Sequence, residues 1–324
     1  MSVINCPHCD GRLNVPKQSS TIVCEYCGTT VNVKTGEILK ENYLMKLQYN
    51  LERATEKMFT WGTKQLGAPK GLNQSKILES KLVFWPFWVI EVEAKGSYTG
   101  VQSKPDFKGR TSVKHLDWKK VAETNSIDVE EDIFVPANPE TPKALRNYVI
   151  PTRRKEFFDM DRILEVQGIT MPVQMDQQAA MKSATQIMSG ILKEDALKEV
   201  DNITQMDVQM KTPAVFLVSV PIWHIRYCYK IRNYDAFVDG ASGRIINMKF
   251  PRKMAFRGMT LLSGLLHLVV GGGIGLLLVY LGFTASDAIF PTIFGIAFGL
   301  GMLAIAIRFF MTALSLRAGM EEAR

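Results

Sequence analysis

Near the amino terminus "CPHCDG" is answered, fourteen residues after its second cysteine, by "CEYCG", so that Cys6, Cys9, Cys24 and Cys27 form C-x2-C-x14-C-x2-C. Two thiolates spaced by two residues grip one ion from a single tight turn, and two such turns complete a tetrahedral site. Redox chemistry at the same pairs would need a thioredoxin-like strand and helix around them, and no such pattern is present. The four thiolates are therefore read as ligands of one zinc ion. A closed set of four leaves no position for water, which makes the metal structural, not catalytic. It substitutes for the hydrophobic core that a zinc ribbon of residues 1–35 is too short to build. Gly28, directly after Cys27, and Gly11, two after Cys9, are expected to supply the permissive backbone of the two turns. His8 lies inside the first turn and, with four thiolates at hand, is expected to be solvated.

The far end of the chain has a different character. Residues 258–286 and 288–307 contain no charged side chain, and each run reaches the ~20 residues that cross a hydrocarbon core as a helix. Their link, "FTASDAIFP", is short, which predicts a tight hairpin of two transmembrane helices with Pro291 near the start of the second. Gly271 and Gly275 in the first run, like Gly295 and Gly299 in the second, stand four apart and let two helix backbones approach closely. Lys249, Arg252, Lys253 and Arg257 precede the first run, Arg308 and Arg317 close the second, and the link carries only Asp287. By the positive-inside rule both flanks are expected in the cytoplasm and the link outside, making a two-span protein of the cell membrane. A reducing cytosol also keeps thiolates free for zinc. The polar first residues carry no secretory signal.

Charge bears on the class of partner. The chain has a formal charge of +7, but residues 258–324 hold three arginines against three acids, and residues 249–257 alone hold four basic groups. The ribbon region, residues 1–40, has Arg12, Lys17, Lys34 and Lys40 against Asp10, Glu25 and Glu37. Nucleic-acid binders gain affinity from clustered Lys and Arg on phosphate, and this ribbon is nearly neutral. The basic cluster beside the first apolar run instead suits anionic lipid headgroups. "RRK" at residues 153–155 is followed by Glu156, Asp159 and Asp161 and reads as a solvated face.

With 324 residues, the chain has room for one soluble domain of ordinary size between ribbon and apolar tail. Residues 41–66 space Leu44, Leu47, Leu51 and Met58 at helical intervals, predicting an amphipathic linker or scaffold helix that "GAPKG" ends. A second helix is expected from about Met175 to Val200, its Met175, Met181 and Met188 serving as adaptable core. Two strand-like segments repeat one another: "PFWVIEVEA" begins at Pro86, and "PIWHIRYCYK" begins at Pro221. Both read P-apolar-W-x-I-x-apolar and are entered through a proline, which a strand tolerates at its first residue. Their separation predicts two related halves of one domain. Further strand-like sequence follows each copy, "TSVKHLDWKKVAET" and "DIFVP" after the first, "NYDAFVDGASGRIINM" after the second, with Asp239 to Gly243 as a hairpin turn. Cys228 is expected as a small buried hydrophobe. The expected architecture is α+β: a zinc ribbon (1–35), a helical linker (36–75), a duplicated, mostly antiparallel cytoplasmic domain (76–250) and a two-helix transmembrane hairpin with a short tail (251–324).

No enzyme signature is present. The four histidines, at 8, 115, 224 and 267, make no H-E-x-x-H, and there is no G-x-S-x-G, P-loop or dinucleotide fingerprint. His267 is the one ionisable group within the apolar runs, expected as a neutral side chain bonded to the neighbouring helix.

The order of parts, "CPHCDG…CEYCG", "PFWVIEVEA", "VPAN" at Val135 to Asn138, "VPIWHIRYCYKI", "DGASGRII" and a terminal apolar hairpin, resembles a family of prokaryotic zinc-ribbon membrane proteins. Its members are often labelled by their ribbon alone, with names borrowed from transcription factor IIB or primosomal helicase. Similar bacterial proteins are associated with flotillin-like and phage-shock-protein-A membrane stress systems. The resemblance extends over nearly the whole chain. It implies zinc ligation by Cys6, Cys9, Cys24 and Cys27, an adaptor or membrane-scaffold role, and no catalytic residue. The function expected is a non-enzymatic membrane-anchored adaptor that docks protein partners at the cytoplasmic face, with self-association as a further option. The alternatives are a membrane-tethered nucleic-acid binder and an accessory subunit of a transporter or membrane protease.

Overall fold

A computed structural model of the chain describes residues 2–15, 19–106, 117–251, 254–284, 289–314 and 317–319. Arg252, Lys253, Asp287 and the strand-like stretch at 111–116, with His115, lie outside the described residues. The N-terminal ribbon is two hairpins: β1 (Ser2–Asn5) pairs with β2 (Arg12–Val15), and β3 (Thr21–Val23) pairs with β4 (Thr30–Asn32), both antiparallel. Leu13 and Val31 pack with Cys6 and Cys24 in a core of a few side chains.

The chain then enters the body through β5 (Asn42–Met45) and α1 (Leu51–Lys64). The helix is shorter than the leucine spacing predicts. Asn50 caps it by accepting the Arg53 N–H at 3.0 Å, and Leu44 lies upstream on β5 in a separate packing cluster. Ala54, Met58 and Phe59 form its buried face. The β6 (Lys76–Asp106) and β7 (Asp117–Pro136) strands form a long hairpin in continuous register from Phe87↔Pro136 to Asp106↔Asp117. After β8 (Lys155–Phe157), α2 (Met160–Glu165) and β9 (Ile169–Thr170) comes α3 (Gln177–Glu199), close to the span expected for the second helix. Met188 is fully buried beneath it, with Met175 and Met181 packed alongside. β10 (Asn202–Lys211), β11 (Val215–Tyr229), β12 (Arg232–Asp239) and β13 (Ile245–Phe250) complete an α+β body with mostly antiparallel pairing.

The two segments that share the P-apolar-W pattern lie side by side. β6 pairs antiparallel with β11, Pro86 opposite Ser219, Trp85 opposite Val220 and Pro221 opposite Phe84. Strand alternation puts Leu217, Ile225 and Tyr227 on one face, where Leu217 joins the cluster under α3 and Ile225 and Tyr227 join the cluster under α1. Both helices therefore cover the same side of the sheet. Trp85, Phe87, Val218, Val220 and Ile222 fill a separate cluster on the other side with Leu145 and Ile150.

The surroundings of the two segments match bond for bond. The Trp88 indole N–H donates to Met175 O at 2.9 Å, and the Trp223 indole N–H donates to Tyr49 O at 2.8 Å. Met175 precedes Asp176, the cap of α3; Tyr49 precedes Asn50, the cap of α1. The Ala137 N–H donates to Pro86 O and its carbonyl accepts from Gln174 and Met175. Gly240 does the same with Pro221, Gln48 and Tyr49. Finally, β9 runs parallel to β6 at Val83 and Phe84, while β5 runs parallel to β11 at Leu217 to Ser219.

The turn expected after β12 forms, with the Gly243 N–H donating to Asp239 O at 2.7 Å and Gly243 at a φ of 69°. Asp239 is fully buried, and burial pushes its carboxyl above the usual carboxylate range. Its carboxylate accepts from the Tyr148 hydroxyl, the Ser242 hydroxyl and the Ala241 N–H, so it serves the turn. Cys228 is not buried. Tyr227 takes the inner position, so pleating sends Cys228 to the other face, where it is partly exposed and its thiol reaches Lys230 O.

The α4 (Met254–Thr284) and α5 (Ile289–Leu314) helices are long and apolar enough to cross a membrane. They meet through the expected glycines: a Cβ on Gly275 would stand 3.0 Å from Gly295 O and 3.2 Å from Gly299 Cα. His267 departs from expectation. It contacts Ser263 O of its own helix at 2.7 Å, and toward the other helix its ring faces Phe309, whose centroid is 5.2 Å away. An i−4 carbonyl lies nearer to a helical side chain than any backbone group of a packed neighbour. β14 (Arg317–Gly319) pairs with β13, so the chain enters and leaves the helical hairpin at one edge of the sheet.

The matched indole bonds make a quantitative prediction. Trp88 is 1% exposed whereas Trp223 is partly exposed. Trp88→Phe removes the donor of a fully buried indole and leaves a gap in the cluster under α3, and should cost about 2 kcal/mol, lowering the melting temperature of the detergent-solubilised protein by about 4–8 °C in circular dichroism. Trp223→Phe should shift it in the same direction by less, since the Trp223 ring is already partly exposed.

Candidate metal centre

Each cysteine pair sits in the turn of one ribbon hairpin, and the two turns have the same hydrogen bonds. The Cys6 N–H donates to Gly11 O while Cys6 O accepts from Asp10; the Cys24 N–H donates to Thr29 O while Cys24 O accepts from Gly28. Closing this loop requires a left-handed residue at the fifth position. Gly28 occupies it in the second turn at a φ of 72°, and Asp10 occupies it in the first at a φ of 59°. Gly11 therefore has a different role from the one its position suggested. A Cβ there would lie 2.5 Å from the Tyr26 ring, so Gly11 is the floor on which that ring rests.

The turns bring Cys6, Cys9, Cys24 and Cys27 together with their sulfurs all within 4.8 Å of one another. Cys6 Sγ and Cys27 Sγ are 3.7 Å apart, and Cys9 Sγ and Cys24 Sγ are 3.5 Å apart. A tetrahedron of sulfurs around one ion at a bond length of ~2.3 Å has edges of about 3.8 Å. The residues fit such an ion, and these four cysteines are positioned to hold a metal. Their electrostatics point the same way. Cys27 is lowered to about 5 by the Thr29 hydroxyl and amide, whereas burial raises Cys24. At Cys9 the Gly11 amide pulls downward, but contact with the other thiols and desolvation outweigh it and push the group up to about 12. Four crowded thiols resist joint ionisation until a cation stands between them. His8 is exposed and stands apart from the cluster.

The ribbon is seated on the body. Ser20 donates its N–H and its hydroxyl to Val173 O at 2.8 and 3.1 Å, Ser20 O accepts from the Val33 N–H, and Lys34 pairs with Asp176 at 2.7 Å. Beside the second turn this docking leaves an open groove of about 910 Å³, lined by residues 23–28 of the ribbon and by 156–162 and Leu164 of the body. Tyr26, Phe157 and Leu164 stand 67%, 72% and 63% exposed there. Glu25, Glu156, Asp159 and Asp161 give the rim an acidic excess over Arg162, which is paired with Glu156 and Asp159. Sequence reasoning treated the acidic residues of this stretch only as neighbours of "RRK". The groove is made by segments more than a hundred residues apart, so no local pattern announces it.

A second acidic group, Glu91, Glu93 and Glu130, crosses from β6 to β7. Burial, followed by the proximity of Glu130, holds Glu91 above the usual carboxylate range.

No family model, curated protein or solved structure matches the chain.

Elemental analysis of the purified protein should give one metal ion per chain. Cys24→Ser, which removes a buried ligand, should bring that ratio well below one half, while His8→Ala should leave it unchanged.

Proposed function

We propose that the protein is a non-enzymatic, membrane-anchored adaptor whose zinc-folded ribbon and sheet body together dock protein partners at the cytoplasmic face of the membrane. The observation that carries this reading is the groove beside the second metal turn, where Tyr26, Phe157 and Leu164 present large apolar surface inside an acidic rim. Exposed aromatic side chains on a rigid support are the usual anchors of protein recognition. A segment with basic and apolar side chains is the complementary partner. The acidic rim also disfavours nucleic acid, in keeping with the near-neutral ribbon.

Zinc is the ion we assign to the four cysteines, because four thiolates in a closed tetrahedral set suit it best among common cellular metals. It holds the ribbon rigid and takes no part in chemistry. The apolar helices anchor the body, with the Lys249 to Arg257 cluster against the inner leaflet. The return of β14 to β13 supports having both flanks of the hairpin on the side of the body. We also assign the two P-apolar-W segments to halves of an ancient duplication, on the strength of their matching hydrogen bonds. Flotillin-like or phage-shock-protein-A-like partners, suggested by the sequence resemblance, would place the adaptor in membrane organisation or stress.

The test is a pull-down from source-cell membranes in nanodiscs, comparing the intact protein with Phe157→Ala plus Leu164→Ala, both on the body wall of the groove and apart from the cysteine turns. A defined protein partner should be recovered with the intact chain and lost with the variant. Recovery of nucleic acid alone, or retention of every partner by the variant, would overturn the reading.

A further inference from the structure

A pocket of about 320 Å³, partly open to solvent, lies under the ribbon where it meets the body, beside the groove and sharing Val23, Phe158 and Met160 with it. Its ribbon wall includes Ser19 and Thr30, and its body wall includes Asn42, Met160, Met171 and Leu217. Among the described residues every lining side chain is neutral. Asn42 is only 5% exposed. Its amide nitrogen donates to Thr30 Oγ1 at 2.6 Å, while its Oδ1 is fully buried and has no hydrogen-bond partner. The Ser19 hydroxyl on the opposite wall is likewise buried and unpartnered. Folded proteins rarely leave such atoms unsatisfied; a ligand or ordered water normally meets them. The volume exceeds the ~30 Å³ share of one water about tenfold, and it falls at the lower end of the range typical of small-molecule sites.

We propose that this pocket binds a small, uncharged molecule with an apolar body and an N–H or O–H donor, which the molecule directs to Asn42 Oδ1. The walls determine the class. Met160, Met171 and Leu217 take an apolar ring or chain. The neutral side chains that the described residues contribute make a charged ligand costly to desolvate. Because ribbon and body each supply walls, an occupant adds contacts to the Ser20–Val173 clasp and holds the ribbon on the sheet. This inference stands on the junction alone and is independent of the adaptor reading.

The experiment is calorimetry on the full chain in nanodiscs, with empty nanodiscs as the blank. The probes are indole, benzamide and cyclohexanol, each paired with the counterpart in which methylation has removed every donor. At least one donor-bearing probe should bind saturably, about tenfold more tightly than its methylated counterpart, as expected for one hydrogen bond to a buried acceptor. Asn42→Leu should abolish that preference, and Met160→Trp, which fills the pocket from its partly exposed edge, should abolish binding. The metal content of both variants reports whether the ribbon has folded; should Asn42→Leu lose metal, Ser19→Ala serves in its place and should weaken the preferred probe several-fold. Failure of all three probes to saturate, equal affinity for methylated counterparts, or a high-resolution structure with the pocket filled by water alone would overturn the proposal.

Discussion

The antiparallel pairing of β6 with β11 is the contact on which the rest of the body is arranged. Pairing centred on Trp85 and Val220 fixes which side chains face which way along both strands. A slip of one residue would send every inward group outward. Trp88 and Trp223 both depend on that register. From the same face of adjacent strands, each indole reaches the carbonyl just ahead of a helix cap and so determines where α3 and α1 begin. The helices are thus positioned by the sheet at their first turns, and the apolar faces of both close over the same side.

The ribbon depends on a different principle. Its hairpins have three- and four-residue strands and bury only a few apolar groups, so burial alone offers them little stability. A metal held by the four cysteines would supply what packing cannot and would give the ribbon its own folding condition. Its seating on the body is polar: a serine clasp, one ion pair and the Asn42–Thr30 bond. Such an interface orients the ribbon without committing much apolar surface. Both the groove and the pocket occur along this seam, where two independently specified surfaces meet imperfectly.

What was legible in the sequence follows from how local each determinant is. The cysteine spacing is a complete statement of a tetrahedral site, because each pair is one turn and two turns suffice. The apolar runs, the facing glycines, α3 and the alternating strands are likewise encoded within short windows. Errors arose where a neighbour in space outvoted the window. Leu44 matched a helical period but was drawn into β5, Cys228 was turned outward by the pleat that buries Tyr227, and His267 found its own helix before the other one. At the first metal turn Gly11 drew attention as the flexible residue, yet Asp10 carries the left-handed backbone. The role of Gly11 becomes visible only when Tyr26, from the second hairpin, is placed over it.

Asn42 illustrates the deepest limit of sequence reasoning here. By pattern it is an ordinary polar residue at the start of a strand; its burial results from the ribbon folding back over the sheet, and its unpartnered oxygen from Thr30 taking up the amide. A soluble domain that needed only stability would gain by replacing such a residue with an apolar one of similar shape, since an unsatisfied buried acceptor is a standing cost. The same argument applies to the Tyr26 and Phe157 rings, which rest on Gly11 and Tyr43 yet leave most of their surface exposed. Ser19, Asn42, Tyr26 and Phe157, which depart from what stability would select, all lie along the ribbon–body seam. Exposed rings and unpartnered polar atoms thus meet between two packed units at the seam, which is why both the docking and the ligand-binding proposals are placed there.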